Sequence, residues 1–219
     1  TELEDTEDEK FKIKFNELSN ESMEIFEGLF EGLFDVSIEG YFDFEEATVN
    51  PYGLTYYGFE KKVAVQEIVK NSLVFPTVGD NVIRKKLVHF FEELRLNQFT
   101  VIGKSANVSK TAQIGYSTYI GKNTAINAQA KIGNGVIVNT GAIIEHECHV
   151  NDFVHVAPAS VLCGNVTVNK NVFIGANTVV KNNISIHEEV TIGAGAVVVK
   201  SIVEKGIWVG NPTRKYEIK

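Results

Sequence analysis

Histidines and carboxylates are concentrated in the segment VNTGAIIEHECHVNDFVHVAP, residues 138–158. Imidazole groups titrate near neutral pH and are common metal ligands, so this spacing suits either proton transfer or a zinc site. The choice depends on where each side chain points, and therefore on the elements that carry them. The groups concerned are His146, His149, His155, Glu145, Glu147 and the thiol of Cys148.

An aliphatic residue recurs at every sixth position from Val108 to Val198, and all sixteen positions of this series are Val, Ile or Leu. An α-helix has a period of about 3.6 residues and a strand a period of about 2, so neither explains the pattern. A six-residue unit suits a short strand followed by a turn, with one aliphatic side chain per unit directed to a common axis. The sequence therefore predicts a solenoid of stacked coils.

The neighbours of each aliphatic residue predict how a coil is built. Two positions earlier the residue is mostly small or β-branched, as at Ala130 and Ala142, which indicates a narrow interior. The residue directly after it is often Gly or Asn, as at Gly115 and Asn127. These two residue types tolerate positive φ best, so we expect the sharp corner of each turn at that position.

Before residue 100 the six-residue period is absent and strand and helix patterns alternate. EKFKIKF (9–15) and SLVFPTVGD (72–80) have the character of strands, and the second runs into a Gly-Asp turn. NESMEIFEGLFEGLF (20–34) and NVIRKKLVHFFEELRL (81–96) carry apolar residues at helical spacing. These patterns predict a small α/β unit. We expect disorder over 1–10, the α/β domain over 11–100 and the repeat domain with its tail over 101–219.

The order of these parts resembles the hexapeptide-repeat sugar O- and N-acetyltransferases, which acetylate sialic acid, bacillosamine and perosamine precursors. Three segments carry the resemblance: TVGDNVIRKKL (77–87), NTGAIIEHECHVNDFVHVAP (139–158) and VGNPTRK (209–215). It implies a partial, modified Rossmann-like α/β domain followed by a left-handed parallel β-helix with three hexads per coil. It also implies a homotrimer, acetyl-CoA as the acetyl donor and no metal.

The first sixty residues depart from this family in one respect. Its members usually have a Gly-Gly-x-Gly-His loop after the first strand, which helps to hold the nucleotide of a nucleotide-linked sugar. Here the first glycine is Gly28, so the nucleotide pocket is expected to be altered. SIEGYFDFEEA (37–47) is similar to the second strand and its acidic turn, which makes Asp43 the equivalent of the family's acidic residue.

The resemblance implies a role for each group of the histidine segment. His146 corresponds to the general base and Glu147 to the residue that fixes its tautomer. Gly164 corresponds to the glycine whose N–H faces the thioester carbonyl, His155 to a contact of the thioester region, and Asn139 to a polar residue near the sugar amine. The other expected contacts are Asp43, Asp80 and Asn81 for the sugar nucleotide, and Ala176, Ala194, Gly195, Gly210, Asn211 and Pro212 for acetyl-CoA.

The six-residue period predicts where these side chains point. His146 lies two residues after the inward Ile144 and His155 one residue before the inward Val156, so both should point outward, on different faces of one solenoid. A site that uses both would then lie between subunits. Cys148 should point inward, so acetyl transfer is expected by direct attack of the sugar amine, without an acyl-enzyme.

The function predicted is N-acetylation of the 4-amino group of a UDP- or dTDP-linked 4-amino-4,6-dideoxy sugar. Three alternatives remain: a sialic-acid-type O-acetyltransferase, a trimeric zinc enzyme like the carbonic anhydrases of this fold, and a non-catalytic scaffold. Asp80 or Asn81 is as easily explained as a helix cap as by nucleotide contact.

Composition limits the possible partners and compartment. The net charge of −7 opposes binding to nucleic acid or to an anionic membrane. The acidic opening TELEDTEDEK is unlike the basic start of a signal peptide, and two cysteines do not form a disulfide framework. We therefore expect a cytoplasmic protein.

Overall fold

The computed structural model describes residues 10–14, 37–50 and 53–217. The disorder predicted over 1–10 and the helix predicted over 20–34 lie outside the described residues, Lys10 excepted. In the part of the chain that is described, no helix is long and apolar enough to span a membrane.

The N-terminal part contains five strands and two helices. Their bounds are β1 Lys10–Lys14, β2 Ser37–Tyr41, β3 Thr55–Tyr56, α1 Val65–Val69, β4 Leu73–Pro76, α2 Asn81–Glu93 and β5 Asn97–Gln98. The strands form a parallel sheet with the order β3-β2-β1-β4-β5. This order is part of the doubly wound α/β arrangement, so the predicted partial Rossmann-like fold is confirmed. Helix α2 begins after Asp80, whose side chain accepts a hydrogen bond from the Ile83 amide at 2.8 Å.

From Val101 onward the chain forms short strands separated by turns, stacked as three sheets around one core, and all strands pair in parallel except β24, which is antiparallel to β23. Strands pair with those 18 residues away, as Ile126 does with Ile144. The strands are β6 Val101–Ile102, β7 Asn107–Val108, β8 Gln113–Ile114, β9 Tyr119–Ile120, β10 Ala125–Ile126, β11 Lys131–Ile132, β12 Ile137–Val138, β13 Ile143–Ile144, β14 His149–Val150, β15 His155–Val156, β16 Val161–Leu162, β17 Thr167–Val168, β18 Phe173–Ile174, β19 Val179–Val180, β20 Ser185–Ile186, β21 Val190–Ile192, β22 Val197–Val198, β23 Gly206–Val209 and β24 Arg214–Lys215.

The three sheets are the faces of the solenoid. Face 1 contains β6, β9, β12, β15, β18, β21, β23 and β24; face 2 contains β7, β10, β13, β16, β19 and β22; face 3 contains β8, β11, β14, β17 and β20. Corner 1–2 joins face 1 to face 2, and corner 2–3 joins face 2 to face 3. Face 2 therefore lies between these two corners.

The core follows the hexads as predicted. The aliphatic series is buried from Ile120 to Val198, and the residues two positions earlier, such as Ala142 and Cys148, are buried beside it. Burial raises the pKa of the Cys148 thiol to about 11. Because this thiol points inward and stays protonated near neutral pH, it is unsuited to act as a nucleophile.

The sharp corners lie at a different position from the one predicted. Positive φ occurs three residues after the inward aliphatic residue, as at Asn123 and Glu147, and not one residue after it. The glycines of the predicted position have another purpose, because a Cβ at Gly175 would lie 2.5 Å from the Ala194 amide nitrogen of the next coil. Glycine is needed there because consecutive coils approach each other closely.

The α/β domain packs against the first coils of face 1. Tyr41, Leu54 and Phe75 of the α/β domain form one buried cluster with Tyr119 and Ile137 of the solenoid. The first strands of face 1 are therefore covered by the α/β domain of the same chain.

Candidate active site

At corner 2–3 the His146 side chain lies on the backbone of the next coil. Gly164 follows His146 by 18 residues and has the equivalent place one coil later. A Cβ added to Gly164 would lie 2.5 Å from His146 Nε2 and 2.6 Å from Cε1. Only glycine leaves room for the ring in this position, and the two predicted residues are therefore in direct contact.

Glu147 orients the same imidazole. Its Oε2 lies 3.1 Å from His146 Nδ1, and both side chains are more than half exposed, at 59% for His146 and 58% for Glu147. A carboxylate only accepts hydrogen bonds, so in the neutral imidazole Nδ1 carries the proton. The Nε2 lone pair then lies above Gly164, free to take a proton from a bound molecule.

The Gly164 amide is available as a hydrogen-bond donor. The flanking Cys163 and Asn165 amides donate to Val180 and His146 carbonyls at 3.0 and 2.9 Å. Among the described residues the Gly164 N–H has no such acceptor. An unpaired backbone donor beside a base is what stabilisation of a developing oxyanion requires.

His155 points outward from face 1, as predicted, but is only 2% exposed because the α/β domain covers it. Its Nδ1 donates to the Gly79 carbonyl at 3.3 Å and its ring meets Phe173 edge-on at 5.1 Å. Burial, and then the charge of Arg84, lowers the pKa of His155 to about 4 despite the hydrogen bond to Gly79. His155 is therefore neutral near pH 7, and its Nε2 has no hydrogen-bond partner in the described part of the chain.

Asn139 belongs to the solenoid, whereas Asp80 and Asn81 lie at the start of α2 in the α/β domain. Asn139 follows the end of β12 on face 1 and accepts a hydrogen bond from the Thr140 amide at 2.7 Å. Asn81 donates to the Val172 carbonyl at 3.1 Å, which ties the start of α2 to the solenoid. The Asp80 carboxylate is the helix cap, so the capping explanation is confirmed.

Asp43 lies in the turn after β2, and its Oδ1 accepts a hydrogen bond from the Phe44 amide at 2.6 Å. Like Asp80, which follows β4, it lies at the carboxyl edge of the parallel sheet. Ligands of open α/β sheets bind in the crevice outside this edge. Both acidic residues therefore lie beside this crevice, and their contact with a nucleotide stays a prediction.

Apart from His155 and Gly164, the residues predicted to contact acetyl-CoA lie along corner 1–2. Ala176 and Ala194 occupy equivalent positions in successive coils. Gly195 directly follows Ala194 in the same turn and has a φ of +68°. The Gly210 carbonyl accepts a hydrogen bond from the Val197 amide at 3.0 Å. Asn211 and Pro212, joined by a cis peptide bond, extend this corner.

The predicted site is thus divided within one chain. His146, Glu147 and Gly164 lie at corner 2–3, whereas Asn139 and His155 lie on face 1 near corner 1–2. Face 2 separates the two sets.

The zinc alternative finds no support within one chain. Among the described residues, no group of three His, Cys, Asp or Glu side chains is placed to hold a metal ion. His149 lies on face 3 and His155 on face 1, so the clustered histidines of the sequence diverge.

The sequence analysis did not predict one residue at the contact between the two domains. Arg84 is buried between the α/β domain and the solenoid, although the sequence pattern suggests an ordinary charge on an amphipathic helix. Its only sequence signal is its position between Asp80 and Leu87 in TVGDNVIRKKL, on the side of α2 that also carries buried residues.

Comparison with known proteins agrees with this architecture. A family model described as "Bacterial transferase hexapeptide (six repeats)" matches residues 165–200. PerB from Caulobacter crescentus, in complex with CoA and GDP-perosamine, is 26% identical with a TM-score of 0.86 over 94% of this chain and 97% of that one. A search of the curated proteins found no match.

Two further solved structures are similar over almost the whole chain. A His→Asn mutant of perosamine N-acetyltransferase from Caulobacter crescentus, also in complex with CoA and GDP-perosamine, is 25% identical with a TM-score of 0.86 over 95% of this chain and 97% of that one. The acetyltransferase domain of PglB from Neisseria gonorrhoeae is 25% identical with a TM-score of 0.81 over 95% of this chain and 100% of that one.

Fold and comparisons together define the class: a left-handed parallel β-helix of hexapeptide repeats behind an α/β domain. Within that class the chain is similar in fold and sequence to hexapeptide-repeat acyltransferases of the sugar N-acetyltransferase type, the family that its sequence motifs resemble.

Proposed function

We propose that this protein transfers the acetyl group of acetyl-CoA to the 4-amino group of a nucleotide-linked 4-amino-4,6-dideoxy sugar. The observation that carries the proposal is the His146 ring, oriented by Glu147 and lying on the Gly164 backbone. This is a base beside an unpaired N–H donor. Two of the similar structures hold CoA and GDP-perosamine, and one of them is a mutant of a histidine, which supports the reaction class.

The chemistry uses these groups in one addition and one elimination. The sugar amine attacks the thioester carbonyl while His146 Nε2 takes its proton, and the Gly164 N–H donates to the oxyanion. The tetrahedral adduct then expels the CoA thiolate, which takes the proton from the imidazolium. The products are an N-acetyl sugar and CoA with a free thiol. Base catalysis of this kind contributes on the order of 10² to 10⁴ in rate.

We infer that the enzyme works as a trimer through face 2. The outward residues of face 3 are largely polar, and the α/β domain covers the first strands of face 1. Face 2 instead presents an aliphatic row whose members are half-buried or exposed in one chain. That row is Ala125, Ile143, Val161, Val179 and Val197.

Such a row, flanked by two corners, suits a contact between copies of the chain. Covering face 2 brings corner 2–3 of one subunit towards corner 1–2 of the next. His146 and Gly164 of one chain then face Asn139, Ala176 and Ala194 of its neighbour. Pantetheine fits along corner 1–2, where small side chains leave the backbone accessible, and Gly210, Asn211 and Pro212 meet its adenine end.

The α/β domain is the place for the nucleotide. Asp43 and the loop that begins at Val78 lie at the carboxyl edge of its sheet, and that loop also meets the solenoid near His155. A nucleotide held at this edge directs its sugar towards the solenoid. Among possible nucleotides we propose UDP or dTDP, and a GDP-linked sugar is the necessary comparison because the similar Caulobacter crescentus enzyme holds GDP-perosamine.

The decisive experiment measures thiol release from acetyl-CoA with UDP-, dTDP- and GDP-linked 4-amino-4,6-dideoxy sugars and with free sialic acid. We expect turnover with one nucleotide-linked amino sugar. Turnover only with sialic acid would replace the amine by a hydroxyl acceptor. CoA binding without turnover of any acceptor would favour a scaffold, and zinc-dependent CO₂ hydration would favour the metalloenzyme.

The role of His146 is tested by His146→Asn with His149→Asn as its matched control. His149 is exposed on face 3 and is three residues away. We expect His146→Asn to lower kcat on the order of 10²- to 10⁴-fold, with unchanged unfolding temperature, and His149→Asn to have no effect. Near-normal turnover by His146→Asn would refute the base assignment.

A further inference from the structure

We propose that Arg84 is a positioning residue that sets the place of the nucleotide-binding edge relative to the acetyl-transfer centre. The inference rests on the proposed function, in which the α/β domain holds the nucleotide and the solenoid holds the thioester. The Arg84 side chain joins these two parts directly.

One guanidinium group bonds to both domains at once. Within the α/β domain its Nη1 donates to the Val78 and Gly79 carbonyls at 3.0 and 2.7 Å. On the solenoid its Nε donates to the Gly135 carbonyl at 2.7 Å, and Nη2 reaches the Phe153 carbonyl at 3.4 Å. The planar fork of arginine fixes direction as well as distance in such an arrangement, which the single ammonium group of a lysine does not.

The carbonyl groups at both ends of this link lie close in sequence to predicted site residues. Val78 and Gly79 follow β4 and lead into Asp80, at the carboxyl edge of the α/β sheet. Gly135 and Phe153 lie in the turns that lead into β12 and β15, and these strands carry Asn139 and His155 near or at their ends. Arg84 therefore connects the nucleotide edge with the two strands of face 1 that contribute predicted site residues.

Two further contacts reinforce the same junction. The Gly79 carbonyl that accepts from Arg84 also accepts from His155 Nδ1 at 3.3 Å, so it is held from both sides. Asn81 accepts from Arg84 Nη2 at 2.7 Å and donates to the Val172 carbonyl at 3.1 Å. The loop from Val78 to Asn81 is thus attached to successive coils through a small set of directed hydrogen bonds.

A buried charge at this place has a physical implication. Arg84 is 1% exposed, and a well-packed apolar side chain commonly stabilises such a position as well as a buried charge does. What the guanidinium adds is a defined geometry between two domains. A displacement of about 1 Å between reacting groups lowers turnover on the order of 10²-fold.

The test compares Arg84→Lys and Arg84→Met with Lys86→Met, which removes an equal charge from the exposed side of the same helix. Each variant is assayed with the nucleotide-linked sugar identified for the wild type and with the same amino sugar lacking its nucleotide. Calorimetry gives the Kd of CoA and of the free nucleoside diphosphate. Arg84→Lys retains the charge, so it serves where Arg84→Met does not fold.

We expect both Arg84 variants to bind CoA and the nucleoside diphosphate within about twofold of wild type, because each binding site lies within one part of the protein. Their kcat with the nucleotide-linked sugar should fall on the order of 30-fold or more. With the sugar that lacks a nucleotide, kcat/KM should equal that of wild type, since the α/β domain does not hold this acceptor. Lys86→Met should behave as wild type throughout.

Equal losses with both acceptors would overturn the inference, because Arg84 would then act on the solenoid or on folding alone. Unchanged kcat with the nucleotide-linked sugar would overturn it as well. Neither result affects the proposed function, which the wild-type assay decides. Absence of turnover by the wild type would overturn both.

Discussion

Two histidines nine residues apart have opposite surroundings in this protein. The His146 side chain is 59% exposed at corner 2–3 and contacts Glu147 and the Gly164 backbone. His155 is 2% exposed on face 1, where Gly79 and Phe173 enclose it. The six-residue repeat directs both outward, but only the packing of the α/β domain makes one accessible and the other buried.

In this solenoid the repeat determines the direction of each side chain, and the packing on each face determines whether that side chain is exposed or buried. A general base needs access to solvent and to a bound molecule, and the exposure of His146 is compatible with that proposed role. His155 instead is neutral and held by a carbonyl, so it contributes a fixed ring and an unprotonated Nε2. The two regions are joined into one site only if face 2, which lies between their corners, is covered by another subunit.

The largest effect should come from a substitution that prevents another subunit from covering face 2. Val161→Asp places a carboxylate in the aliphatic row, and burial of like charges between identical subunits costs several kcal/mol. We expect light scattering to show monomers and activity to fall at least about 10²-fold, while the isolated chain stays folded.

The matched control for that change is Thr167→Asp, which introduces the same charge on face 3 one strand later. It should leave both assembly and activity unchanged. A Val161→Asp protein that remains trimeric, or a fully active monomer, would show that the two corners do not meet across face 2.

The next effect concerns the packing that distinguishes His146. Gly164→Ala places a methyl group about 2.5 Å from Nε2, so the imidazole must turn away from the Gly164 amide. We expect kcat to fall on the order of 10²-fold with little change in unfolding temperature, since the site is at the surface. Ala128, which precedes His146 by 18 residues at the same corner, provides the control Ala128→Gly. Normal kcat for Gly164→Ala would mean that the contact with Gly164 has no catalytic use.

The solenoid was predictable in detail because each hexad repeats the same arrangement, an inward aliphatic residue with a small or β-branched residue two positions earlier. The buried series from Ile120 to Val198 and the inward Cys148 follow from spacing alone. Spacing does not determine dihedral angles, so the positive φ at Glu147 was expected two residues too early, and the close approach of coils at Gly175 was not recognised.

The junction of the domains was not predictable in the same way. Arg84 has the sequence pattern of a helical surface charge, and His155 that of an exposed strand residue. Both become buried because α2 and the Val78–Asn81 loop pack on face 1. Such packing depends on contacts between residues that are distant in sequence, which a local pattern does not encode.

The smallest expected effect concerns stability and belongs to His155 alone. Because its pKa is lowered to about 4 from an ordinary value of 6.5, the unfolded chain binds more protons than the folded one between these two pH values. The neutral ring therefore contributes stability that is present above about pH 6.5 and is lost as the pH falls towards 4. At about pH 5.5 the loss relative to pH 7 should be about 1 kcal/mol.

His155→Asn keeps a donor for the Gly79 carbonyl but does not titrate. Denaturant unfolding of both proteins at these two pH values therefore separates the contribution of the histidine from that of the carboxylates. The wild type should lose about 1 kcal/mol more than the variant on acidification. Equal losses would mean that His155 titrates as an exposed histidine does, and that the contrast with His146 is not one of burial.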